Sequence, residues 1–441
     1  MIELASTIPA DPMAPLVRRF SSGVGDHLLV VPFSRIYDIS PGSNELGDVE
    51  YATAALSLPS ENEIALDRVA EPQPQSISLN VSSSCNLTCG YCYAARGGFG
   101  GAQRAPMDWP TARAAIDRLL GCADPASPIT IGFLGGEPFA NRKLIHKAVE
   151  YATSEATAAG LDVRFSVTTN GTLLEADDLE MLRRTLFAVT ISLDGAAGVH
   201  DRQRPLHRDG SGSWQMVVDK VTPLLERPGR AKIAARATVT RRNLDIEGHL
   251  DRLTALGFPE VGFAPLRVAP DGAGAMTDAD WPLYLAALIA AAEQEIVRLR
   301  RGVPIRLTNL AVALKQLHRG ASSPYPCGAG GGYFSVSAGG RWYACHRAIG
   351  NAEFELGSNE GLDPIRRRKF LEQRHVHSQT ECGSCWARYL CSGGCHQEAN
   401  ARTAASCDFI RGVAVLLPRS LLRTWRRSRV QRSRRSLRCG L

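Results

Sequence analysis

The chain has 441 residues, 44% of them hydrophobic and 22% charged, a composition that fits a folded globular protein and excludes a disordered chain or a collagen-like fibre. Of its 51 basic residues, ten are arginines between Arg411 and Leu441, where there is no acid, so the net charge of +7 is an excess carried by the tail. The opening MIELASTIPADPMAP has no basic segment followed by an apolar one, and no stretch reaches the roughly 18 uninterrupted apolar residues of a spanning helix. The expected compartment is the cytoplasm.

In chain order, HLLVVPFSRIYDIS (27–40) predicts a short strand pair, and 49–58 a helix. The run 71–75, Glu-Pro-Gln-Pro-Gln, predicts a linker that ends an N-terminal segment over 1–75. Six strands are then predicted at 77–83, 129–135, 163–169, 187–195, 232–239 and 260–266. Helices are predicted between them at 109–120, 141–159, 176–184, 214–226 and 244–256. Such alternation makes a parallel sheet with crossover helices. No nucleotide-type glycine fingerprint follows the first strand, so the fold class expected over 76–300 is an α/β, TIM-like partial (β/α)6 barrel rather than a Rossmann sheet.

The alanine-rich helix 281–300 closes that unit, and 301–325 is expected to be a linker. Beyond it the chain turns to Gly, Cys and aromatic residues with few long periodic runs. A small domain over 326–411 that buries little apolar surface needs metal staples, and seven cysteines are there to supply them.

Twelve cysteines in a reducing compartment point away from disulfides and toward metal. Cys85, Cys89 and Cys92 fall within eight residues directly after the first strand, at the end of a barrel where active sites are built. Three thiolates can hold one face of a four-iron cluster and leave the fourth iron without a protein ligand. Structural zinc prefers four closed ligands, and no fourth Cys or His lies nearby in sequence. Downstream, Cys327, Cys345, Cys382, Cys385, Cys391, Cys395 and Cys407 follow the pattern C-x17-C, a gap, then C-x2-C-x5-C-x3-C-x11-C. Zinc knuckles are the alternative there. Cys122 and Cys439 fit no pattern.

The cluster C-N-L-T-C-G-Y-C, with Tyr91 before its third cysteine, resembles the signature of the radical S-adenosylmethionine (SAM) superfamily. Gly135-Gly136-Glu137-Pro138 after the second strand resembles that family's contact to the methionine amino group. Asn170, within Thr169-Asn170-Gly171-Thr172, and Ser192 and Asp194, within Ser192-Leu193-Asp194-Gly195, stand where the family contacts ribose and carboxylate. The run His200-Asp201-Arg202-Gln203-Arg204 offers Arg204 to a substrate or methionine carboxylate. By this resemblance a reduced low-potential cluster cleaves SAM to methionine and a deoxyadenosyl radical, which removes hydrogen from an unactivated carbon.

The C-terminal cysteines resemble a SPASM extension with two auxiliary 4Fe-4S clusters, three clusters in all. Cys382, Cys385, Cys391 and Cys407 would hold the distal one, and Cys327, Cys345 and Cys395 the nearer one, which leaves an open iron, a water or a non-cysteine ligand such as His346 or His396. The segments 327–350 and 385–396 are similar to maturases that install thioether cross-links in ribosomally made peptides, including the quinohemoprotein amine dehydrogenase maturation type.

The implied partners are a precursor peptide and an electron donor such as flavodoxin or ferredoxin. The N-terminal strands could take a leader peptide by strand addition. The tail over 412–441 could lie on an anionic membrane surface, and no aromatic platform for nucleic acid accompanies its charge. Carbon-carbon cyclophane formation, formylglycine formation on a sulfatase, and a non-catalytic iron-sulfur electron carrier are the alternatives.

Overall fold

The computed structural model describes residues 17–22, 25–39, 72–99, 105–269, 272, 274–319 and 323–415. The expected helix at 49–58, nearly all of the basic tail and Cys439 lie outside them. The N-terminal segment forms three strands where a pair was expected: β1 (Val17–Ser22), β2 (Gly25–Val30) and β3 (Arg35–Ile39), antiparallel with β2 central. The strand missed is β1, whose VRRFSS has no strict apolar alternation. Leu29, Val31 and Ile36 pack into the main core, so this sheet lies against the rest of the molecule.

The second sheet has ten strands. Its centre is the six-stranded parallel run β4 (Ser76–Ser82), β5 (Ile129–Gly135), β6 (Val163–Thr169), β7 (Phe187–Ser192), β8 (Lys232–Val239) and β9 (Val261–Pro265). The linking helices are α1 (Trp109–Cys122), α2 (Arg142–Ala158), α3 (Ala176–Arg184), α4 (Ala197–Gln203), α5 (Trp214–Glu226) and α6 (Ile246–Ala255); α7 (Asp280–Arg300) follows β9. Asp108 starts α1 by accepting from the Thr111 amide, and Glu175 and Asp178 form a reciprocal capping box on α3.

Period-two alternation gives each strand two unlike faces. One is apolar: Phe133, Phe165 and Phe187 lie ring to ring on adjacent strands, 6.3 and 5.4 Å between successive centroids. The other is small and polar, with Ser78, Gly132 and Ser166 side by side. A Cβ on Gly132 would come within 2.9 Å of Ser166 Oγ, so that lumen face is already close-packed at its base.

The cysteine-rich region continues this sheet. β10 (Tyr333–Val336) pairs in parallel with β4, and β11 (Arg341–Tyr343), β12 (Glu355–Ser358) and β13 (Gly361–Leu362) extend it antiparallel. The segment expected to be a linker contains α8 (Thr308–Arg319), anchored by buried Leu310, Leu314 and Leu317. Beyond β13 come α9 (Pro364–Arg374), the single turns α10 (Thr380–Gly383) and α11 (Arg388–Cys391), and α12 (Ala404–Val415). Among the described residues no helix is long and apolar enough to cross a membrane.

Candidate functional site

The loop carrying Cys85, Cys89 and Cys92 leaves β4 and is stitched to the end of β5. The Gly136 amide donates to Ser82 O and the Glu137 amide to Ser84 O, both at 2.8 Å. This approach requires glycine: a Cβ on Gly136 would lie 2.2 Å from Ser84 O, and one on Gly135, whose φ is +145°, 2.3 Å from Ser82 O. The expected Gly135-Gly136 pair therefore seats the cysteine loop on the sheet.

Glu137 is fully buried. Its carboxylate accepts from the Phe139 amide at 3.1 Å, Thr169 Oγ1 at 2.6 Å and the Asn170 amide at 2.8 Å. Burial raises its pKa to about 7 against these three donors. Its contacts tie β5 to the turn after β6. In that turn Asn170 Oδ1 accepts from Thr172, while Nδ2 reaches Asn86 Oδ1 at 3.0 Å and Cys85 Sγ at 3.8 Å. Asn170 thus stands beside the first of the three thiols.

Three expected residues from three separate motifs meet at one point. Asp194, buried after β7, accepts from Tyr91 Oη, from Arg204 Nε at 2.9 Å and Nη2 at 3.3 Å, and from the Thr238 amide at 2.8 Å. The Arg204 guanidinium also lies over the Tyr91 ring, 5.2 Å from its centroid. Arg204, expected to meet a ligand carboxylate, has its counter-charge inside the protein. His200 supports this group from behind: Nδ1 accepts from the Asp194 amide at 3.2 Å and Nε2 donates to Ser213 Oγ at 3.0 Å, since that hydroxyl is itself spent on Arg204 O at 2.6 Å. Burial lowers its pKa to about 4, so the ring is neutral. Ser192 ends β7 half-buried, in register with Arg236 of β8.

Burial raises the Cys85 thiol to about 12 and Cys89 to about 11; the Arg204 charge pulls Cys89 back down, and the thiols of this loop raise one another. The downstream cysteines influence one another in two groups. Cys345, raised to about 12 by burial, senses Cys395 and Cys327; Cys391, raised to about 11 by burial, senses Cys382, Cys407 and Cys385. Donors point at these sulfurs: the Arg96 amide at Cys92 (3.4 Å), the Arg347 amide at Cys345 (3.4 Å), Arg402 Nη1 at Cys382 (2.8 Å) and Arg411 Nη2 at Cys385 (3.6 Å). Hydrogen bonds to sulfur of this kind tune iron-sulfur centres.

Among the described residues no three His, Cys, Asp or Glu side chains are placed to hold a single metal ion. Four thiolates on one zinc stand about 4 Å apart, whereas thiolates on a four-iron cube each take a different iron and lie farther apart. Thiols with amide and guanidinium donors aimed at them are a donor set that suits iron-sulfur ligation.

The sequence reading missed Tyr93 and Tyr333. Tyr93 is close enough to both Cys345 and Cys92 for each to raise its pKa, which burial already raises, and the Arg347 guanidinium lies 5.1 Å from its ring centroid. Tyr333 Oη bridges Ser78 Oγ at 2.7 Å and His346 Nδ1 at 2.9 Å. His346 is thereby engaged next to Cys345. His396 is buried against Phe370, 5.5 Å between ring centroids, and no partner within the described residues reaches its Nε2.

Residues 79–253 match the Radical SAM superfamily model, so that stretch, which carries the cysteine loop, is a radical SAM domain, the catalytic unit of a superfamily of enzymes. The chain is 30% identical over 190 residues to an uncharacterised protein of Methanocaldococcus jannaschii, a match that spans 43% of this chain and 62% of that protein. It is 26% identical over 353 residues to the serine-type anaerobic sulfatase-maturating enzyme of Klebsiella aerogenes, 75% of this chain and 82% of the relative. In fold it is similar to native anSMEcpe solved with bound AdoMet and the Kp18Cys peptide, with a TM-score of 0.66, 18% identity, and coverage of 81% of this chain and 99% of that one.

Proposed function

We propose that this enzyme is a radical SAM peptide or protein maturase whose reaction joins a cysteine sulfur to a carbon of its substrate. The observation that carries this reading is Tyr93, which lies near both Cys92 of the first thiol set and Cys345 of a set that numbers three thiols among the described residues. A cluster on Cys85, Cys89 and Cys92 would supply the electron that cleaves SAM, and SPASM-type clusters on Cys327, Cys345 and Cys395 and on Cys382, Cys385, Cys391 and Cys407 would complete three. The chain's own residues hold the loop, through Gly135, Gly136 and Glu137, and place the Arg204 charge beside Cys89. A three-thiol set leaves a corner for the substrate's own thiolate.

In balance, the cross-link loses one C–H and one S–H hydrogen. One hydrogen atom leaves on deoxyadenosine, and the other leaves as a proton to solvent and an electron to an acceptor. Flavodoxin or ferredoxin is the proposed reductant, and β1 and β3, the outer strands of their sheet, are the proposed docking edge for a leader peptide.

The sulfatase-maturating relative supports a second reading, formylglycine formation. Mass spectrometry separates them. A cysteine-containing peptide from a neighbouring small reading frame, co-expressed with the enzyme, should lose two hydrogens per cross-link and resist thiol alkylation at that cysteine. Turnover of a Cys/Ser-x-Pro/Ala-x-Arg peptide to the aldehyde, with no cross-linked product, would overturn the thioether reading.

A further inference from the structure

Arg347 meets two of the three thiols in the set Cys327, Cys345 and Cys395. Its backbone amide donates to Cys345 Sγ at 3.4 Å, and its side chain crosses to the other cysteine, with Nη1 3.9 Å from Cys395 Sγ. Nη2 of the same guanidinium is tied to Glu398 Oε1 at 2.6 Å. Arg267, in the loop after β9, brings Nε to 3.6 Å from Glu398 Oε2 and is itself seated over the Trp281 ring of α7, 4.5 Å from its centroid. The barrel therefore fixes, through Glu398, the cation that the C-terminal region presents to its own sulfurs.

Two guanidiniums share one carboxylate, so this group is net positive. The side chains of Arg267 and Glu398 are only 15% and 12% exposed, and charges in so dry a place act more strongly than at the surface. Arg236 adds to the excess. Ile233, Ala235, Ala237 and Val239 are buried, so alternation puts Arg236 on the opposite face of β8, close enough to Arg347 for the two charges to oppose each other. Its side chain has neither ion pair nor hydrogen bond among the described residues.

A four-iron core that takes up one electron gains one negative charge, and a cation beside its sulfurs stabilises the reduced form more than the oxidised one. We propose that Arg347, held in place by Glu398 and Arg267, raises the reduction potential of the cluster on Cys327, Cys345 and Cys395 and so equips it to take the electron that cross-linking releases. The inference rests on the maturase reading, in which one electron passes to an acceptor and its proton to solvent.

The test is a potential rather than turnover: a redox titration followed by electron paramagnetic resonance, on the anaerobically reconstituted full chain with Cys85, Cys89 and Cys92 replaced by alanine. Iron of about eight per chain shows both C-terminal cubes loaded. Arg347→Gln should lower the midpoint of one cluster by about 60 mV or more, a tenfold loss in the ratio of reduced to oxidised form. Arg402→Gln removes the donor to Cys382, so it should move the other cluster and thereby assign the two. Arg347→Lys, which keeps the charge, should recover part of the shift. Arg267→Gln, whose parent side chain has no sulfur contact among the described residues, should lower the same midpoint as Arg347→Gln by a smaller amount.

If neither Arg347→Gln nor Arg267→Gln moves a midpoint, or if Arg347→Gln moves the one that Arg402→Gln moves, the assignment is overturned. An Arg347→Lys variant as low as Arg347→Gln would also overturn it, because the shift would then follow packing and not charge. Iron for a single cube in the parent protein would mean that the three-thiol set holds no cluster, and the three-cluster reading would fail together with the assignment.

Discussion

Replacing Cys85, Cys89 and Cys92 together with alanine is expected to reduce deoxyadenosine formation below detection while leaving the proposed C-terminal clusters in place. The three thiols share one loop, and the set {Cys382, Cys385, Cys391, Cys407} and the set {Cys327, Cys345, Cys395} are separate from it. Iron in anaerobically reconstituted protein should therefore fall by about four per chain, one cube, rather than to zero. The fold should survive, because the loop is fixed by backbone bonds from Gly136 and Glu137 and by Asn170, none of which depends on sulfur. Iron analysis and chromatography of the reductive cleavage products check both halves. Retention of all iron in the triple variant would remove the first site from the account.

Asp194→Ala is the second large effect. Asp194 is fully buried and is the sole acid paired with Arg204 among the described residues; it also accepts from Tyr91 Oη and the Thr238 amide. Removing one partner of a buried pair leaves an uncompensated charge and typically costs ~3–5 kcal/mol. Two orphaned donors add to that here. The pairing has a functional side as well: Tyr91 precedes Cys92, so loss of Asp194 frees the loop that holds the thiols. Denaturant titration should show Asp194→Ala less stable than the double variant Asp194→Ala/Arg204→Ala, in which the stranded charge is gone. Equal stabilities for the single and double variants would mean that Arg204 finds solvent and the pair carries no weight.

Much of the parallel sheet was legible because its strands are short apolar runs broken by turn residues. Ile129–Gly135, Val163–Thr169 and Lys232–Val239 begin and end where their patterns do. The helix Thr308–Arg319 was also written in the sequence, as Leu310, Leu314 and Leu317 at helical spacing, but it falls between compositionally different regions and reads as a linker. β10 was not legible. Four residues pair in parallel with β4, more than 250 positions earlier, and nothing local announces a partner so distant.

At the site, spacing named the residues but not their partners. Glu137, Asp194 and Arg204 were each expected to face a ligand, yet Glu137 is spent on the turn after β6 and the other two on each other. Motif order places residues at strand ends; which of them meet depends on burial, and a charge in a dry interior takes the nearest opposite charge first. Arg236 and Tyr93 escaped notice for the opposite reason. They belong to no spacing pattern: the alternation of β8 places Arg236, and the approach of the two cysteine-bearing loops places Tyr93.

The central claim is that the three thiols of the first loop hold a cube with one iron left for SAM. Electron paramagnetic resonance of the dithionite-reduced protein, recorded with and without SAM in a variant whose C-terminal cysteines are alanine, tests it directly. The account predicts a reduced-cluster signal whose g-values move when SAM is added, because an amino group and a carboxylate enter the vacant corner. A signal indifferent to SAM, or zinc in place of iron at that loop, would contradict it.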